Sequence, residues 1–138
     1  METTTQNKEI EEQFGEMLYA YSRAQAIADG VLIDASAQGS PFADVSRQHF
    51  KYPIAMTGMV YELLKTAVEN KKHCNDFAGI WHDMLYMSKV CPIKQTENTS
   101  WFKCIITGTH RRTHTFKFVC GPGDNAEPVL TMLFPEED

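Results

Sequence analysis

Ser100–Cys120 reads SWFKCIITGTHRRTHTFKFVC. Apolar and polar residues alternate with period two on both sides of Gly108–Arg112, the pattern of two half-buried strands joined by a turn. With the turn centred on His110, Ile106 faces His114, Cys104 faces Phe116 and Phe102 faces Phe118. These residues share one face, which must be the core face, because a slip of one residue would invert every side chain. The opposite face carries Trp101, Lys103, Ile105, Thr107, Thr115, Lys117 and Val119 and is more polar. A hairpin with one apolar face needs a cover.

The cover is found upstream. From Thr57 onward, Met59, Val60, Leu63, Leu64, Ala67 and Val68 follow the i, i+3, i+4, i+7 spacing of one helical stripe. Asn70-Lys71-Lys72 ends that helix. Asp76 caps a second, striped by Phe77, Ile80, Trp81, Met84, Leu85 and Ser88 and stopped at Cys91-Pro92. Gly121–Asn125 (GPGDN) is a turn signal, and Pro128–Phe134 reads as a last strand. The N-terminal third is marked by Tyr19–Ser36, YAYSRAQAIADGVLIDAS. It reads as a strand over 14–21, a short helix over 23–29 begun at Ser22 and ended at Gly30, and a second strand over 31–34. Asp44 is placed to cap a short helix, VSRQHF. The expected fold is α+β, with a helical hairpin (57–90) on one face of a mostly antiparallel sheet made from the N-terminal strands and the C-terminal three. Residues 1–12 read as a flexible tail, and 13–138 as one domain.

Composition narrows the function classes. With 43% hydrophobic residues, 138 residues can bury one core. The formal net charge is −5, from 13 basic and 18 acidic residues. That balance argues against a nucleic-acid partner. No run reaches the roughly 18 apolar residues of a membrane span, and the polar N-terminus has no apolar signal region. A cytoplasmic protein without membrane partners is expected. Four cysteines, Cys74, Cys91, Cys104 and Cys120, occur without a CxxC pair. Free thiols are expected, and neither a metal nor a cofactor.

Polar residues at the joints of Tyr19–Ser36 suggest a small-ligand pocket. Tyr19 and Tyr21 would stack on a ring, and Arg23, read as a surface residue, would offer its planar fork to a carboxylate or phosphate. Ser22, Asp29 and Asp34 complete the cluster. The structural alternative is that Ser22 is a cap and that Asp29 or Asp34 binds nearby backbone. A second candidate is the outward face of the hairpin, where Trp101, Lys103 and Lys117 form an aromatic and basic patch suited to a partner. His110–His114 is read as a solvated turn with His114 at the core edge. Asp124 and Glu127 are a carboxylate pair on a glycine-rich turn, where stabilising the turn competes with acid–base chemistry. Cys74 follows His73, but adjacent side chains diverge and no third catalytic group is evident. No catalytic residue can be assigned.

Three blocks, YAYSRAQAIADGVLIDAS, KYPIAMTGMVYE and GPGDNAEPVLTMLFPEED, resemble a family of small uncharacterised proteins carried by bacterial plasmids, phages and other mobile elements. The resemblance runs from about Tyr19 to the C-terminus and brings no activity with it. It implies an accessory protein that binds a host protein or a small anionic ligand, in counter-defence or regulation. The pattern Y-x-Y-S, short helix, D-G-V-L also looks like the first strand and helix of ADP-ribosyltransferase-type folds. This implies, as the alternative, a small transferase using Tyr19–Asp34 with Glu127 or Asp124 as its carboxylate.

Overall fold

A computed structural model describes residues 22–137. In chain order they form α1 (Arg23–Ala28), β1 (Leu32–Asp34), α2 (Ala43–His49), β2 (Ile54–Thr57), α3 (Gly58–Glu69), α4 (Phe77–Val90), β3 (Pro92–Gln95), β4 (Thr99–Ile105), β5 (Thr113–Pro122) and β6 (Pro128–Leu133). The expected 1–12 tail and 14–21 strand, with Tyr19 and Tyr21, lie outside the described residues. The fold is α+β. One sheet runs β1-β2-β6-β5-β4-β3, antiparallel at every step except β2–β6, which is parallel.

Local chemistry sets most boundaries where the sequence places them. Ser22 Oγ accepts from Gln25 N at the start of α1, and Gly30 leaves it at φ +79. Thr57 Oγ1 and Asp76 Oδ1 accept from Val60 N and Gly79 N to begin α3 and α4. α2 differs. Its N-cap is Phe42, which makes no side-chain cap, and Asp44 sits inside the first turn, paired with Arg47 at 2.8 Å.

The hairpin faces are as expected, but the register is not. Cys104 pairs with His114, Phe102 with Phe116 and Ser100 with Phe118, so the turn centres on Thr109 rather than His110. The slip is two residues on the partner strand, an even number, so each side chain keeps its face. The physical reason lies outside the hairpin. Gly108 adopts φ +86 against the end of α3, where its carbonyl accepts from Asn70 Nδ2 at 3.3 Å. Asn75 Nδ2 donates to Thr107 O at 2.9 Å. The α3–α4 link thus grips the turn, and Thr109 Oγ1 donates to Arg111 O within it.

The core lies between this face and the helices. Ile54 and Met56 of β2, Leu130 and Met132 of β6, Phe116 and Phe118 of β5 and Phe102 of β4 meet Val60, Leu64, Trp81, Met84 and Leu85. The two long helices form, but not as an isolated pair, since α2 also packs against α4. Buried Ser46 of α2 joins the layers: it accepts from Trp81 Nε1 and donates to Ala35 O, both at 2.8 Å. β2 and β3 have no counterpart in the period-two reading. Ile54, Ala55 and Met56 are all buried, so β2 shows no alternation.

Candidate functional site

The outward face of the sheet forms an open groove of about 1140 Å³. Strand register builds its floor. Trp101 lies opposite Lys117 and Thr99 opposite Val119 across β4–β5, and Lys117 and Val119 lie opposite Leu133 and Thr131 across β5–β6. These residues point away from α2, α3 and α4 because their neighbours in sequence fill the core. The rim comes from Val31 and Leu32 on one side and from Met59 and Glu62 at the start of α3. Met59 is 58% exposed although it falls on the predicted core stripe. It sits in the first turn of α3, which projects past the end of β2.

Trp101 is half-buried, with Lys94 Nζ 4.8 Å from its ring centroid. This places a cation over an aromatic face. Lys117 is half-buried beside it. Lys103, the third basic residue of the expected patch, is exposed but lines a different, smaller depression with Tyr86, Met87 and Ile105. The structure therefore unites Trp101 with Lys117 and sets Lys103 apart. Glu137 also lines the groove, where its carboxylate accepts from Thr57 Oγ1 and Phe134 N, both at 2.8 Å.

Arg23 is not a free surface residue. Its guanidinium donates to Leu130 O at 2.7 Å and Thr131 Oγ1 at 3.0 Å, reaching the groove floor from α1. Burial lowers its pKa from the ordinary value, against the opposing pull of Asp34, Asp124 and Glu127. Asp124 arrives from the distant β5–β6 turn and accepts from Arg23 N at 2.8 Å and Ala24 N at 3.1 Å. It caps α1 in trans, beside Ser22. Asp34 Oδ1 accepts from Ser36 N, and Glu127 Oε2 from Asn125 N. Asp29 is the C-cap of α1. Every described member of the joint cluster thus has a backbone or capping role, and Arg23 also bonds to Thr131 of the groove floor.

The cysteines and His114 lie apart from the groove. Burial, helped by Asp83, pushes the Cys104 thiol up to about 12, which leaves it protonated and unreactive. Cys74 is exposed on the α3–α4 link. His114 is buried at the hairpin turn, its Nε2 2.8 Å from Thr109 Oγ1 and 2.9 Å from Arg111 O. Among the described residues, no group of three or more His, Cys, Asp or Glu side chains is arranged to hold a metal ion. None of the described helices is long and apolar enough to cross a membrane.

The sequence flagged Trp101 and Lys117 through the period of the hairpin. It did not flag Thr131, Leu133, Val31 or Met59 as their neighbours. These come from separate segments, brought together by the parallel β2–β6 pairing that carries α3 to the groove.

No curated protein and no solved structure matches the chain. A family model described as a family of unknown function, DUF6573, matches residues 12–138. That span covers nearly the whole sequence, and the chain belongs to the DUF6573 family.

Proposed function

We propose that this is a binding protein whose outward groove receives a partner protein. The observation that carries the reading is the pairing of half-buried Trp101 with Lys117 on the floor of a long, open, mainly apolar groove. A half-buried aromatic anchor in an apolar trough is the composition of a protein-binding centre, with Lys117 as a charged group beside it. A catalytic pocket would instead gather several titratable groups around one point. The charged groups that a transferase would use, Arg23 and Asp124, bond to the β6 backbone and the α1 N-terminus. The likeness of three sequence blocks to accessory proteins of plasmids and phages supports a cytoplasmic host protein as the partner, in counter-defence or regulation.

The test is a photo-crosslinking residue at Val119, inside the groove, compared with one at Lys72, exposed on the α3–α4 link. The protein would be expressed in its native host. A discrete adduct from Val119 alone, abolished by Lys117→Glu with circular dichroism unchanged, supports the reading. Equal adducts from both positions, or none from Val119, would overturn it.

A further inference from the structure

His49, the last residue of α2, and His82, in the middle of α4, face each other at 2.9 Å between Nε2 and Nδ1. Their ring centroids are 4.8 Å apart. His49 Nδ1 is buried and has no hydrogen-bond partner. Orphaned buried N–H groups are rarer in folded proteins than under-satisfied acceptors. This selects the tautomers. His49 carries its proton on Nε2 and donates, while His82 accepts at Nδ1 and exposes its own N–H to solvent.

We propose that this imidazole pair is an acid-released clasp between the C-terminal end of α2 and α4. A proton added at His82 Nδ1 either sets two N–H groups against each other or drives the His49 proton to its buried Nδ1, where it has no acceptor. A proton added at His49 Nδ1 leaves the bond in place but buries a cation with no acceptor. Either site of protonation therefore disfavours the closed contact.

The surroundings reinforce this. Lys89, two helical turns beyond His82 on α4, places its Nζ 5.3 Å from the ring centroid of Phe50, the residue after His49. Burial, then Lys89, then His82 hold His49 below its ordinary pKa. Tyr86 stacks on His82 at 6.2 Å. Arg47, on α2 itself, is paired with Asp44. Asp83 lines a shallow depression together with His82, but no carboxylate hydrogen-bonds to either imidazole among the described residues. The far side of α2 is held independently by the Trp81–Ser46–Ala35 chain, which does not titrate in this range. Acidification should therefore free the 47–50 end of α2 while its first turn stays docked.

Amide hydrogen exchange of the intact protein, corrected for intrinsic rates, tests this at about pH 7.5 and about pH 5.5. Protection in 47–50 is expected to fall about fivefold on acidification, the weight of one neutral hydrogen bond. His82→Ala removes only an exposed side chain. It should show the low protection at both pH values. Equal protection at both pH values in the natural chain would overturn the proposal. So would an unchanged pH response in His82→Ala, which would assign the effect to another group such as His114.

Discussion

Arg23 and Asp124 hold each other's segments in place. Arg23 sends its guanidinium to β6 while its own N–H is capped by the Asp124 carboxylate. Arg23→Ala should destabilise the fold by about 1–3 kcal/mol, because it leaves Leu130 O without this donor in a half-buried site. A thermal midpoint equal to that of the natural chain would show that the contact contributes nothing. Asp124→Ala should cost about 1 kcal/mol through the lost cap. The double variant should cost less than the sum of the two, since both anchor α1 to the β6 side of the sheet. The histidines add a pH dependence. His49 and His114 both lie below the ordinary value of 6.5, in each case chiefly through burial. The unfolded chain therefore takes up their protons first as the pH falls. The stability they contribute is complete above about 6.5 and is lost progressively below it. Urea midpoints at about pH 7.5 and about pH 5.5 should fall in that order, and a flat profile would contradict both assignments.

At the scale of elements, the hairpin shows how a turn is placed by something other than its own sequence. The TGTHRR stretch tolerates either centre, and the grip of Asn70 and Asn75 on Gly108 and Thr107 chooses Thr109. Cross-strand cysteines can read this directly. Lys103→Cys with Thr115→Cys places two sulfurs on opposed residues and should oxidise to a disulfide. Lys103→Cys with Lys117→Cys would be opposed only if the turn centred on His110. Preferential crosslinking of the second pair would refute the observed register. Helices α3 and α4 depend less on such details, since caps at Thr57 and Asp76 and apolar stripes agree on their limits.

The described residues share one core beneath the sheet. Leu85 is fully buried there, and Leu85→Ala should cost about 2–5 kcal/mol in denaturant unfolding. A loss under about half a kcal/mol would mean that α4 does not pack on the sheet as observed. The same layering leaves the other face open, so the groove is a by-product of covering the sheet from one side only. Contacts from far along the chain fix its lining residues, Arg23 on Thr131 and Glu137 on Thr57.

Local and periodic information in the sequence determined the α+β class, both long helices with their caps, the short α1 and which hairpin residues face the core. Those features depend on neighbours within a few residues, whose spacing and capping chemistry are visible in a linear string. It also put Trp101 and Lys117 on one outward face, because period two fixes that geometry. Only the tertiary structure decided the parallel β2–β6 pairing, the turn centre at Thr109 and the capping of α1 by Asp124. Each of these joins segments far apart in the chain, by contacts that leave no local pattern. Arg23 illustrates the difference most clearly. In sequence it is a cation at the start of a short helix, free to meet a ligand. In the fold, β6 lies within reach and supplies a carbonyl and a hydroxyl, and binding them recovers hydrogen bonds that the guanidinium gives up to water on burial.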